Sequence, residues 1–348
     1  APDINDDLDK AAYANALQSG VAEVGERLCI SLPTPGVYVD RNLPAGSVCF
    51  EVERAEAWRG VIPLDRQFVP RKEPQSNSAD IDAIDCELPG LGRGVWVQPD
   101  AADTVNTEEG TEALSACAAM GQMVAFLIGR WSSRAFGLQE ADDWLNGLAN
   151  EGLTGLVEQV RQTVQVTRIA DVLRHLLAED VRLIQPRLIL EALIESAPRV
   201  EENTALVDHI RLSLARPLSA QYADNKRVIS ACVVEPDLEE YLRSAVSETP
   251  NGMRLSLQHH EANRFAEFIS RWASADRKGE PPVVILTSFD LRRPIQQFAI
   301  GRGIEIAVFA FEETATDFET VPVAKIDMST VIEGDEDREF EQLYQAAE

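Results

Sequence analysis

His259-His260-Glu261 brings together the ligand types of a zinc site. Successive helical side chains point about 100° apart, so adjacent histidines do not reach one ion as an i, i+4 pair would. A solvated helix start is the expectation. Asp80-Ile81-Asp82-Ala83-Ile84-Asp85 spaces carboxylates at alternate positions but lacks the glycine and distal glutamate of a calcium loop, so it reads as a loop or strand edge. Gly90-Leu91-Gly92-Arg93-Gly94 invites a phosphate loop. Phosphate binding needs a strand before the glycines and a helix after them, so that amides and dipole meet the anion. Here the strand Val95-Trp96-Val97 follows, and the spacing is neither GxGxxG nor GxxxxGK; the segment is expected to be a turn. His175 and His209 stand near Asp171 and Asp208 on predicted helices, where pairing at a surface or interface accounts for them. No GxSxG nucleophile elbow occurs. The cysteines, Cys29, Cys49, Cys86, Cys117 and Cys232, are odd in number, scattered, and free of CxxC or Cys/His ligand spacing, which points to a reducing compartment and no structural zinc. These motifs point to a non-enzyme without metal or cofactor.

The elements that carry these residues change character along the chain. Residues 5–28 predict a helix with a loose apolar stripe (Leu8, Ala11, Ala12, Leu17, Val21, Val24, Leu28). Val37-Tyr38-Val39 and Val48 to Val52 predict short strands around a Leu43-Pro44-Ala45-Gly46 turn, and 55–109 is irregular, with a loop at 72–78. From about 112 the chain turns helical. A long helix is predicted over 114–136, followed by shorter ones at 139–148 and 153–164. The clearest helix is 168–179, where Ile169, Val172, Leu173, Leu176 and Leu177 fall at i, i+3, i+4, i+7 and i+8 behind Thr167 as N-cap. Pro186 suits the first turn of a helix at 186–196, and another runs over 203–214. The last part predicts a strand at 227–234, helices at 236–246 and 259–276, a buried strand at 283–287, a helix at 290–300 and a strand at 304–309. That order is a βαβ unit. Residues 335–348 predict a loose acidic tail.

Charge bounds the partners. The 348 residues carry 58 acidic and 32 basic side chains, a net charge of −26, which excludes nucleic acid and anionic lipid as ligands because both require lysine and arginine. With 45% hydrophobic residues the chain buries a core. No apolar run of about 18 residues is present to span a bilayer. The opening Ala1-Pro2-Asp3 resembles neither a signal nor a transit peptide, and it points to a piece processed or cut from something longer.

One stretch is specific. Ala170-Asp171-Val172-Leu173-Arg174-His175-Leu176-Leu177-Ala178-Glu179-Asp180-Val181, continued by Arg187-Leu188-Ile189-Leu190-Glu191-Ala192-Leu193-Ile194-Glu195-Ser196-Ala197-Pro198, resembles the signature VLxxLLxExVxIRDxRxILEALxxxAP of the large export-gate proteins of flagellar and virulence type III secretion systems, the FHIPEP family. Phe136-Gly137-Leu138-Gln139-Glu140 is similar to the family's xGRQE, Arg211 to Arg216 to its RxALGR, and Pro281 to Leu286 with Leu291-Arg292-Arg293 to its APPVLL…LRR. The likeness covers about 8–312. Ile184-Gln185-Pro186 depart from the family's RDM, Ala215 from its glycine, and Gly90 falls where flagellar members carry an aromatic residue in the chaperone-docking dimple.

The resemblance implies an α+β, multi-subdomain fold. Small α/β subdomains flank a helical, winged-helix-like one, and a βαβ, ferredoxin-like subdomain ends the chain. It implies a first subdomain from 1–54 and 110–130, an insertion at 55–109, a ring-forming helical subdomain at 131–218, a C-terminal α/β subdomain at 219–330 and an acidic tail at 331–348. It further implies the cytoplasm-facing part of a bacterial inner-membrane protein of the injectisome type, built as a nonameric ring. Expected partners are chaperone–substrate complexes, the export ATPase stalk and gatekeeper proteins, with no cofactor and no catalysis. Arg187, Arg211 and Arg216, with Glu191 and Asp208, are expected to pair across the ring, since arginine forks carboxylates well; the competing reading is pairing within a helix. Leu91, Trp96 and Gln122 are expected to line the docking groove, although a tryptophan on a strand is more often core. The rival reading is an acidic α/β enzyme with its site at the carboxyl ends of strands 283–287 and 304–309, using Phe289, Asp290 and Glu312.

Overall fold

A computed structural model describes residues 6–33, 36–38, 40, 42–44, 47–71, 83–102, 113–249, 252–273 and 281–332. The expected loop at 72–78, residues 80–82 of the 80–85 carboxylate run, Ala45-Gly46 of the expected turn and the acidic tail at 335–348 lie outside them. The chain falls into two units, one of residues 1–147 with 182–184, the other of 148–181 with 185–348.

In the first unit, α1 (Asp6–Leu28) packs on a long helix across a backbone approach that only small residues permit. A Cβ on Gly20 would lie 2.9 Å from the Gly121 carbonyl and 3.0 Å from the Ala125 nitrogen. Strands β1 (Ser47–Val52) and β2 (Ala55–Val61) form an antiparallel pair. Strands β3 (Gln67–Pro70), β4 (Ile84–Leu88), β5 (Gly92–Val97) and β6 (Leu114–Ser115) form an antiparallel sheet in the order β4-β5-β3-β6. Val69, Val95 and Val97 of this sheet are buried with Ala102. Helix α2 (Ala116–Ala135) follows β6 directly, and the Ser115 hydroxyl accepts from the Ala118 amide at 3.2 Å as its N-cap. Helix α3 (Leu138–Leu148) reaches the unit boundary. Val37 and Tyr38, expected in a strand, lie in none; Tyr38 is 89% exposed.

The second unit opens with five helices: α4 (Thr154–Thr163), α5 (Val166–Ala178), α6 (Pro186–Ser196), α7 (Asn203–Ser213) and α8 (Ala215–Tyr222). The apolar stripe of α5 is buried as its spacing predicts, and Pro186 opens α6 as expected. Thr167 is not the cap, because α5 begins two residues earlier than expected and Gln165 takes the N-cap position without a side-chain bond. Strand β7 (Val228–Val234), helix α9 (Pro236–Ser244), the hairpin β8 (Val246–Thr249) and β9 (Gly252–Leu255), helix α10 (His259–Ala273), strand β10 (Val284–Thr287), helix α11 (Phe289–Gly301), strands β11 (Val308–Ala310) and β12 (Glu319–Ile326) and the short α12 (Met328–Val331) complete it. The expected βαβ unit is present in a sheet ordered β11-β10-β7-β12, and every pairing in that sheet is parallel. All four residues of β10 are buried, as a central parallel strand requires. On one face Cys232, Val234, Ile285 and Val308 pack with Leu238 and Leu242 of α9, Phe265 and Ile269 of α10, and Leu291 and Ile295 of α11.

Candidate functional site

The Gly90 turn and α2 build one candidate surface in the first unit. The chain reverses between β4 and β5 with Gly90 at φ 78°, a left-handed conformation that glycine adopts without strain. A Cβ there would also fall 2.7 Å from the Cβ of Phe126, so the turn lies directly on α2. Gln122 is exposed one helical turn before Phe126 on the same face, and half-buried Leu91 follows Gly90. Leu91 and Gln122 therefore border one contact. Trp96 does not join them. Its side chain is fully buried on β5, edge-on to Phe68 at 5.4 Å between ring centroids, and it belongs to the core. Sequence alternation placed it on a strand but could not say which face was covered.

The residues expected to pair across a ring divide in the same way. Arg187 and Glu191 are exposed on α6 and pair with each other at 2.8 Å, the i, i+4 geometry. Arg216 is exposed and meets Asp317 at 3.1 Å, an acceptor it shares with Arg227. Arg211 and Asp208 are corrections, since their charges are engaged inside the second unit. Arg211 is only 2% exposed; its Nε donates to Glu313 Oε1 at 2.6 Å and its Nη2 to Oε2 at 3.0 Å, while Nη1 lies 3.2 Å from Glu179. Asp208 accepts from Arg292 at 2.5 Å and Arg293 at 2.7 Å. Arg292, fully buried, also donates to Glu179 at 2.7 Å. Three guanidiniums and three carboxylates thus form one cluster. Burial by itself would raise the Glu179 pKa, but the Arg292, Arg211 and Arg293 charges outweigh it and hold the carboxyl down at about 2. Arg292 is shifted upward, because Glu179, Glu313 and Asp208 outweigh the effect of its burial. The arginines were visible in the sequence as the motif segments 211–216 and 291–293. Glu313 carried no signal; it joins because the chain turns there directly after β11.

The carboxyl edge of the parallel sheet is where an enzyme of this architecture would place its site. Here Asp290 is held by Arg243, at 2.5 and 3.3 Å, and its carboxyl is shifted downward, foremost by that hydrogen bond. Phe289 is 37% exposed and Glu312 is exposed. The position where a helix amino terminus would receive an anion is filled from within: Glu239 of α9 accepts from the Ser288 amide at 2.6 Å and the Thr287 hydroxyl at 2.8 Å. Asp290 is thus taken up by Arg243 and by the Ser288 hydroxyl, an arrangement that an ion pair at a helix start accounts for without catalysis. His259-His260-Glu261 is a helix start, as expected. Glu261 turns back to accept from the Gln258 amide at 2.8 Å and from the Tyr241 hydroxyl at 2.7 Å. Among the described residues no group of three His, Cys, Asp or Glu side chains is placed to hold a metal, and no helix is long and apolar enough to cross a membrane.

The model of the FHIPEP family matches residues 10–319. The chain is 27% identical over 333 residues to a probable translocation protein, y4yR, of Sinorhizobium fredii, covering 94% of this chain and 46% of that protein. It therefore spans about half the length of the curated relatives it matches. Among solved structures, the Chlamydia pneumoniae CdsV and CdsO protein complex contains a similar chain at a TM-score of 0.76 and 20% identity, covering 92% of this chain and 95% of that one. Nonameric SctV-C of EPEC is similar at 0.69 and 17% identity, covering 90% and 94%. At such identities these two likenesses show the fold.

Proposed function

The chain belongs to the FHIPEP family, and from that premise we propose that it is the cytosolic, non-catalytic domain of the major export-gate component of a bacterial type III protein secretion system. It faces the cytoplasm beneath the inner membrane, forms a ring, and receives chaperone–substrate complexes on their way to the channel. The carrying observation is the family match across 10–319, in which the ordered motifs at 136–140, 170–198, 211–216 and 281–293 all lie. A ring of nine copies is supported by the nonameric assembly of the EPEC relative. Contact with the export ATPase stalk and with gatekeeper proteins belongs to the same reading. We keep the division into a first subdomain (1–54 with 110–130), an insertion (55–109), a ring-forming helical subdomain (131–218) and a C-terminal subdomain (219–330) as part of the proposal.

Within it, Leu91 and Gln122, on either side of the Gly90–Phe126 contact, are the docking positions. Arg187, Glu191 and Arg216 are the ring positions, because they are the expected residues whose side chains remain at the surface. Arg187 exchanges its weak partner on the same helix for a neighbour's carboxylate at little cost, since an exposed i, i+4 pair contributes only about 0.3–0.5 kcal/mol. Sedimentation equilibrium of the wild type and Arg187→Glu tests the ring face. The expected result is weaker self-association of a variant that melts like the wild type; equal association of the two removes Arg187 from the interface. Pull-down with purified chaperone–substrate pairs tests docking, with Gln122→Glu expected to reduce capture.

A further inference from the structure

We propose that the buried ionic cluster of the second unit is an orientation lock, which fixes one angle between the helices of 148–222 and the parallel sheet so that the two move as a single body. This inference concerns the fold and stands apart from the secretion reading. The membership of the cluster is its first support. Glu179, at the end of α5, and Asp208 and Arg211, on α7, come from the helical side. Arg292 and Arg293, on α11, and Glu313, just after β11, come from the sheet side. The helical side therefore holds two carboxylates and one guanidinium, and the sheet side two guanidiniums and one carboxylate. Neither is neutral without the other. Sliding or rotating one against the other strands a buried charge of each sign, and an uncompensated buried charge is far more costly than a lost apolar contact.

The second support is geometry. Arg211 grips Glu313 with a two-pronged bond, and Arg292 spans Glu179 and Asp208 on two different helices. Such forks tolerate one direction of approach. Tyr222 also meets Phe309 edge-to-face at the same junction, 5.3 Å between ring centroids, a contact that contributes only about 0.5–1.5 kcal/mol against the larger cost of a stranded buried charge. The Arg293 fork also reaches the Thr204 carbonyl, tying α11 to the backbone of α7. Buried ion pairs add little net stability over well-packed apolar residues, so their use here is registration.

Hydrogen exchange of the full chain in graded denaturant tests this. In the wild type, α5 and α7 on one side and β7 and β10 on the other are expected to open with one common free energy. In Arg292→Gln the two sets are expected to separate, one opening at least about tenfold more often than the other. Asp317→Asn, outside the cluster, should leave them together. If Arg292→Gln does not fold, Asp208→Asn, at the more open rim of the cluster, provides the same comparison. The lock is overturned if the wild-type sets already open separately, or if the variant lowers both sets equally.

Discussion

Glu179 carries the sharpest consequence at the scale of single residues. Its folded-state pKa of about 2 lies below the ordinary value of 4.5, so the stability it contributes is fully present above that ordinary value and is lost as pH falls toward about 2. Denaturation midpoints of the wild type and Glu179→Gln should accordingly differ most near neutrality. Removing one partner of a buried pair costs roughly 3–5 kcal/mol, and the two proteins should converge as pH falls through that interval. A difference that is the same at both ends of the titration would mean that the charge of Glu179 is not what matters. Arg211 makes the complementary point. In the sequence it is one more arginine on a helix beside an aspartate, and every surface argument applies to it. Its 2% exposure and its bonds to Glu313, 102 residues away, follow from a fold that no local pattern displays.

Among the elements, the strongly periodic helices were legible and the irregular strands were not. The stripe of α5 and the proline at the start of α6 are local signals, and both elements formed where those signals stood. Strand β12 was missed for a physical reason. It contains Pro322, which donates no ladder hydrogen bond, and it lies at the sheet edge with a register shift between Pro322 and Ala324, where such a residue is tolerated. The hairpin β8–β9 and helix α8 are short and carry little periodicity of their own. The Gly90 turn shows how an element can depend on one atom. Gly90→Ala adds a Cβ both in a left-handed backbone and against Phe126, and a loss of roughly 1–3 kcal/mol is expected. Thermal melting followed by circular dichroism measures that loss, and an unchanged midpoint would show that the turn relaxes away from α2.

Charge dominates at the scale of the whole molecule. In the proposed ring, copies carrying −26 each would repel one another, and salt screens surface repulsion beyond a Debye length of about 8 Å at physiological ionic strength. Self-association should therefore strengthen from low to physiological salt, as read by sedimentation velocity at fixed protein concentration. Association that weakens steadily over the same range would mean that complementary ion pairs, not the screening of like charge, govern the contact. The lock bears on the same question, since a second unit that moves as one body presents α6 and the parallel sheet to a neighbour at a fixed angle.

By itself the sequence determined the family, the helices of 154–214 and the βαβ unit, because ordered motifs and apolar spacing are properties of neighbouring residues. It also determined the absence of a nucleotide fingerprint at 90–94, since that chemistry needs a local order of strand, glycines and helix. Only the tertiary structure decided which charged residues face water. Burial and partner choice are set by elements far apart in the chain, and so Arg187 and Arg211, alike in sequence, became a surface charge and a member of the buried cluster.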